Sequence, residues 1–233
     1  MLMIIGGLQK ITLIDYPGKI AATVFLAGCN FRCPWCYSSE LVLPEKIKLQ
    51  PEIKKKDFFE FLKSKKGFLE GVVICGGEPC LNKDLEGFIK KIKELEYSVK
   101  IDTNGSHPDF LRRLVGKKLV DYVAMDIKAP KEKYREAVGG RVNLKNIKES
   151  VDFLKENRVD YEFRTTVIPK IIEKKDVLKI VEWISGAKKY YLQTFKPEKN
   201  LNQKFGKLKP YSKEYLLEIQ KTISPFFEIC KIR

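Results

Sequence analysis

The sequence predicts an α/β protein, a partial (βα)6 barrel with an N-terminal β-hairpin, and three observations carry that prediction. Short β-branched runs alternate with helical patterns about six times, and the conspicuous polar motifs each sit just past a strand. A turn sequence, Asp15-Tyr16-Pro17-Gly18, separates two apolar stretches near the start. Alternation of strand and helix gives parallel strands joined by right-handed crossovers. Six units are too few to close an eight-fold barrel, yet chemistry gathered at strand ends is the habit of barrel enzymes. A dinucleotide-binding fold has no positive support, because no Gly-x-Gly-x-x-Gly opens a helix after the first strand.

Each element has a local reason. Leu8–Ile14 and Lys19–Leu26 flank a turn in which Pro and Gly occupy usable positions, which makes the hairpin. Strands are predicted at Ala21–Leu26, Val72–Cys75, Val99–Ile101, Tyr122–Ile127, Tyr161–Val167 and Tyr190–Gln193, each followed by polar or Gly/Pro residues. Between them, Phe58, Phe59, Phe61 and Leu62 suggest a helix. Leu85, Phe88, Ile89, Ile92 and Leu95 fall on one helical face, as do Leu144, Ile147, Val151 and Leu154, and again Val177, Ile180, Val181 and Ile184. Tyr215, Leu216, Ile219 and Ile223 form the last helix, and Phe226–Arg233 reads as a closing strand. With no linker, repeat or low-complexity segment, residues 1–233 are expected to be one domain, a length that suffices for a sizeable core.

Composition narrows the function classes. No run approaches the ~20 apolar residues of a membrane span. The segment Met1-Leu-Met-Ile-Ile-Gly-Gly7 lacks the basic start and cleavage site of a signal peptide, so the expected compartment is the cytoplasm. Six cysteines then read as reduced thiols, metal-bound or buried, rather than as disulfides. The net charge of +15 invites a nucleic-acid partner. The lysines argue against it, being scattered through nearly every helix and mixed with Glu, a surface also common in high-temperature proteins. An acidic partner protein or RNA is the alternative reading of that charge.

Cys29, Cys33 and Cys36 stand at Cys-x3-Cys-x2-Cys spacing just after an apolar run. Thiolates are soft donors that suit zinc or iron–sulfur centres. Three of them are one short both of a tetrahedral zinc and of a cubane with one cysteine per iron. The lone histidine, His107, is far along the chain, and spacing alone leaves the two metals open. The second parallel strand runs into Cys75-Gly-Gly-Glu-Pro-Cys80, where paired glycines let backbone approach a ligand closely. A tight β–α turn capped by Glu78 is the plainer reading of that motif taken alone. Asp102-Thr103-Asn104 follows the third strand, and Asp126-Ile-Lys128 the fourth. Two carboxylates and a lysine at neighbouring strand ends suit a cationic ligand, its carboxylate or a small metal ion, or else simply an Asp126–Lys128 ion pair.

Taken together, the cysteine triad and the Gly76-Gly77-Glu78-Pro79 turn resemble the cluster-binding and methionine-amino-group motifs of the radical S-adenosylmethionine superfamily. The resemblance implies a radical-SAM-type barrel with one 4Fe-4S cluster on Cys29, Cys33 and Cys36, whose unique iron takes the amino nitrogen and carboxylate of S-adenosylmethionine. It also implies reductive cleavage of that cofactor to a 5′-deoxyadenosyl radical. Zinc, having no redox chemistry, then recedes. The Asp102–Asn104 and Asp126/Lys128 segments look like those that line the cofactor and substrate site in glycyl-radical activating enzymes. Arg164 matches an arginine placed beside the cofactor, and Gln193 a looser counterpart on the sixth strand. Trp35 stands where the superfamily tends to place an aromatic residue near the adenine, and shielding of the cluster is its other reading.

Within the superfamily the sequence is most similar to activating proteins of anaerobic ribonucleoside-triphosphate reductases. The similarity rests on Gly7-Leu-Gln9, Leu13–Gly18, Cys29–Leu41, Met125–Pro130 and Tyr191–Pro197. It implies a glycyl-radical enzyme as protein substrate and an external electron donor such as flavodoxin or ferredoxin. Many such activases carry an inserted cysteine-rich stretch for two more clusters. Here Cys75, Cys80 and Cys230 alone remain, too few for eight further ligand positions, so one cluster is expected and these three read as buried apolar thiols. A second enzyme reading keeps the radical chemistry but takes a small molecule or tRNA base, such as a 7-deazapurine precursor. A zinc-stabilised nucleic-acid-binding module, the third reading, leaves the strand-end motifs unexplained.

Overall fold

In the computed structural model, which describes residues 3–233, the hairpin forms around its Pro-Gly turn. Met1 and Leu2, the start of the segment read for a signal peptide, lie outside the described residues. Strand β1 (Ile5–Thr12) runs antiparallel to β2 (Ala21–Leu26). Tyr16, between them, turns inward and is buried with Ala21, Val73 and Tyr122 as a small plug. After β2 come two single-turn helices, α1 (Ser39–Val42) and α2 (Pro44–Ile47), and then α3 (Lys55–Ser64).

Parallel strands and helices alternate from there: β3 (Gly71–Gly76), α4 (Leu85–Glu94), β4 (Ser98–Thr103), α5 (Pro108–Gly116) and β5 (Tyr122–Asp126). The short α6 (Tyr134–Ala137) leads to α7 (Leu144–Lys155), β6 (Asp160–Val167), α8 (Lys174–Trp183), β7 (Lys189–Thr194), α9 (Lys213–Ile223) and β8 (Ile229–Ile232). The predicted helical stripes are the buried ones. In α4, Leu85, Phe88, Ile89 and Ile92 are all inside, each such side chain contributing roughly 1.5–3 kcal/mol of apolar burial. Side-chain caps set several starts: Ser212 accepts from the Tyr215 amide at α9, and Glu173 with Asp176 forms a capping box at α8.

All eight strands make one sheet in chain order, β1 to β8. Residues 226–233 do supply a strand, but it does not close the sheet, which corrects the expectation. The crossover through α9 delivers β8 parallel to β7 and one position further on. β1 occupies the opposite edge, paired with β2 along its length and with Ile53 through a single antiparallel bridge at Ile5. Helix α5, absent from the sequence reading, fills the β4–β5 crossover and buries Leu111, Leu114 and Val115. Among the described residues no helix is long and apolar enough to cross a membrane.

The two faces of the sheet differ in kind. Val24, Leu26, Val72, Ile74, Val99, Ile101, Val123, Met125, Phe163 and Leu192 point outward into the helix-covered core. The alternate positions line the concave inner face, among them Thr23, Cys75, Lys100, Asp102, Tyr122, Asp126, Glu162 and Arg164. Period-two alternation thus divides an apolar packing face from a polar working face.

Candidate active site

The cysteine loop leaves the C-terminal end of β2 and is braced by its neighbours. Gly28, at φ +98°, donates its amide to Leu41 O at 2.7 Å. Its own carbonyl accepts from Glu78 N at 2.7 Å, while Leu26 O accepts from Gly77 N at 2.8 Å. The Gly76-Gly77 pair is required by this contact. A Cβ on Gly77 would run into the Gly28 carbonyl, and one on Gly76, itself at φ +116°, into the Leu26 backbone. The turn after β3 is therefore joined, backbone to backbone, to the base of the cysteine loop.

Glu78 is fully buried, and its carboxylate faces protein. Oε1 accepts from Cys80 N at 3.0 Å and from Thr103 Oγ1 at 2.8 Å, and Oε2 accepts from Asn104 N at 2.6 Å. Burial pushes the Glu78 carboxyl above its ordinary range, with the Asn104 and Cys80 amides and the Thr103 hydroxyl pulling the other way. Asn104 is equally committed, donating to Asn30 Oδ1 at 2.9 Å and accepting from the Ser106 amide and hydroxyl. Asn30 in turn donates to Ser106 Oγ at 2.9 Å. Glu78, Thr103 and Asn104 thus brace the cysteine loop and tie β3 to β4.

Asp102, Asp126, Lys128 and Arg164 form a second group on the inner face. Arg164 Nε donates to Asp126 Oδ1 at 2.8 Å and its Nη1 to Asp102 Oδ2 at 2.7 Å. Lys128 Nζ binds Asp126 Oδ2 at 2.9 Å, and Lys100, buried and unnoticed in the sequence, binds Asp102 Oδ1. The Asp126–Lys128 ion pair is real, but it is one link in a chain of three cations and two carboxylates. Burial opposes the charged form of both aspartates; Arg164 outweighs it in each case, aided by Lys100 for Asp102 and Lys128 for Asp126, so both carboxyls lie below their usual range. Burial likewise opposes the charge on Lys128, but Asp126 and then Cys33 raise its ammonium above its ordinary value. A further inner-face pair, also missed, joins Arg233 to the fully buried Glu162 at 2.6 Å, with Tyr122 donating to the same carboxylate. Gln193 lies level with Thr166, two positions beyond Tyr191 on the same face.

Among the described residues no three His, Cys, Asp or Glu side chains converge on a point that could hold one metal ion. A cubane asks each thiolate to take a different iron, so three cysteines spread along one loop suit it, whereas mononuclear zinc needs convergence. Burial pushes the Cys29 thiol up to about 11 and that of Cys33 up to about 12, and raises Cys36 as well. Loading with iron must therefore displace protons. His107 occupies the N-cap position of α5 without a side-chain capping bond, and among the described residues it belongs to no such ligand group. Cys80 is a buried thiol beneath Glu78, as expected, and Cys230 packs half-buried against the core. Cys75 departs from expectation. It lies half-buried on the polar inner face near Asp102, Lys100 and Arg164, because its place in β3 alternates with outward Ile74.

Comparison with known proteins agrees with this geometry. The sequence profile of the Radical SAM superfamily matches residues 23–184. A Methanocaldococcus jannaschii protein, provisionally assigned as a glycyl-radical enzyme activating enzyme, is 35% identical over 238 residues, covering 100% of this chain and 97% of its own. A 7-carboxy-7-deazaguanine synthase of Aquifex aeolicus is 36% identical over 91 residues, 38% of each chain. Among solved structures, Streptococcus suis SuiB bound to S-adenosylmethionine shares the fold with a TM-score of 0.67 at 15% identity, over 88% of this chain and 48% of that longer one. The chain belongs to the radical SAM superfamily. It is a radical SAM oxidoreductase, and membership implies a 4Fe-4S cluster and S-adenosylmethionine as its cofactors.

Proposed function

We propose that this enzyme is a cytoplasmic glycyl-radical enzyme activase, one domain over residues 1–233, whose protein substrate is an anaerobic ribonucleotide reductase. The observation that carries the reading is the end-to-end likeness to the M. jannaschii protein, which extends well beyond the superfamily core. When bound, a reduced cluster together with S-adenosylmethionine would supply the one-electron radical chemistry that removes a hydrogen atom from the target glycine. Cys29, Cys33 and Cys36 hold the cluster. Gly76, Gly77 and Pro79 offer backbone to the methionine amino group, while Glu78, Thr103 and Asn104 keep that turn and the cysteine loop in register. Asp102, Asp126, Lys128 and Arg164 bind the polar groups of the cofactor, with Asp126 and Lys128, both within electrostatic reach of Cys33, the catalytic pair. Trp35, buried within the loop, excludes water and offers a face to the adenine.

An external one-electron donor, flavodoxin or ferredoxin, completes the reading. Lys196, Lys199, Lys204 and Lys207 stand exposed near the cysteine loop, which suits an acidic partner. The test is anaerobic reconstitution followed by incubation with candidate reductases. A glycyl radical signal by electron paramagnetic resonance is expected, and Cys33→Ala should abolish both iron loading and cofactor cleavage. Cleavage retained in that variant would exclude Cys33 as a cluster ligand. A second reading, a small-molecule radical enzyme acting on a deazapurine precursor, draws on the 91-residue match to the deazaguanine synthase. Turnover of such a precursor with no radical on any reductase would favour it.

A further inference from the structure

Past β7 the chain does something that neither motif nor family likeness assigns. Residues 195–208 cross to the cysteine loop and occupy three successive carbonyls of its second half. Pro34 O accepts from Asn202 N at 2.9 Å, Trp35 O from Asn200 Nδ2 at 2.9 Å, and Cys36 O from Leu201 N at 2.7 Å. Asn200 Nδ2 also donates to Lys196 O at 3.1 Å, closing the segment on itself. Phe205 packs against the Trp35 ring at 6.4 Å and edge-on against Phe195. The chain reverses at Lys199, held in the left-handed region at φ +51°, so that Asn200 folds under the loop and is only 7% exposed.

The two halves of the cysteine loop are thus secured differently. In the first half the Arg32 guanidinium donates to Cys29 O and Phe31 O, and Arg32 N reaches Val138 O. The second half holds the internal bond from Cys36 N to Cys33 O and otherwise depends on residues 200–202. The Asn200 amide cannot be reversed there, because Trp35 and Lys196 both present carbonyl oxygens and only an NH2 satisfies them. Its own Oδ1 is buried without a partner, so the residue is kept for what it donates.

We propose that residues 195–208 form a strap that fixes Pro34–Cys36, with Asn200 as the positioning residue that sets the third cysteine and the Trp35 ring for cluster and cofactor. This rests on the radical SAM reading of Cys29, Cys33 and Cys36. Groups that orient metal ligands typically govern about 10–100-fold in metal retention or activity. Asn200→Asp keeps the shape but loses the donors, and Asn200→Ala loses them without adding charge. After anaerobic reconstitution of the full chain, both variants should lose iron to excess chelator about 10–100-fold faster than wild type. Both should also show an altered reduced-cluster paramagnetic resonance line shape and weaker S-adenosylmethionine binding, while the apo proteins melt within a few degrees of wild type. Phe205→Leu, which spares the hydrogen bonds, should keep its iron but bind the cofactor more weakly. In wild type, cluster loading should slow hydrogen exchange at the Leu201 and Asn202 amides, a measurement that needs no variant to fold. Unchanged exchange, a lowered melting temperature with normal cluster properties, or harm from Asp but not Ala would each overturn the strap's role. A wild-type chain that loads no iron would instead overturn the reading of the triad, and the inference with it.

Discussion

Arg164 is the keystone of the inner-face charge chain, and replacing it with methionine isolates what that chain contributes. The guanidinium makes two charge-assisted bonds, at 2.8 Å to Asp126 and 2.7 Å to Asp102. Hydrogen bonds to charged groups are worth about 1.5–3 kcal/mol each, which brackets the loss at about 3–6 kcal/mol. Two features hold the loss to the low end. Lys100 and Lys128 stay on the carboxylates, and the Asp102 and Asp126 side chains keep 18% and 23% exposure, which lets water screen them. A loss of about 3 kcal/mol in a chain of this size lowers the melting temperature by about 6–12 °C. Arg164→Lys keeps the charge without the fork and should fall between. Scanning calorimetry of the apo protein reads this directly. The sign of the pH dependence is fixed too. Both aspartates have carboxyls held below their ordinary range in the fold, so their stabilisation is present above the unfolded value, about 4, and is lost as pH falls through the folded values. The gap between wild type and Arg164→Met should be full at neutral pH and narrow on acidification below about pH 4. A melting shift under about 2 °C, or a gap that widens in acid, would refute the network as a stabilising element.

Two further outcomes follow from the bracing geometry. Glu78→Gln must turn an NH2 toward at least one of the three donors that converge on the carboxylate, so it should cost about 1–3 kcal/mol and lower the melting temperature; an unchanged transition would count against the clamp. Cys80→Ala should still load about four irons per chain, because Cys80 lies under the Glu78 turn rather than on the cysteine loop, and iron content falling to near zero would make it a ligand.

What was legible in the sequence was local. Strand alternation, helical stripes and the turn at Pro17-Gly18 are written in neighbouring residues, and so are the triad and the paired glycines. Pairings of distant residues were not legible. Nothing near Trp35 announces that Asn200, 165 positions away, will bind its carbonyl. Nor does Lys100 advertise itself, a lysine in an apolar strand that only the inner-face geometry explains. The resemblance that carried Glu78, Thr103 and Asn104 to the cofactor site could not reveal that their side chains face one another, since a motif records position and not direction. The closing strand failed for a topological reason: segment 226–233 reads as a strand wherever it pairs, and only the α9 crossover decides that it joins β7.

The division between a pinned loop and a charged inner face bears on what the site can hold. The cysteine loop is held by the Gly76–Glu78 turn, by Asn30 and Asn104, by Val138 and by residues 200–202, so its geometry is set before any ligand arrives, which lowers the reorganisation a charged reaction demands. The inner face next to it is charged and already paired into a chain with one positive charge in excess, an environment that favours an anionic carboxylate over further apolar packing. Parallel sheets normally bury both faces, and here helices cover only one. β1 and β8 stand at opposite edges of the sheet, and the inner face between them holds buried polar side chains, Thr23, Lys100, Glu162 and Arg164 among them, where a closed barrel packs apolar layers, so charge rather than apolar packing is what this face offers a ligand.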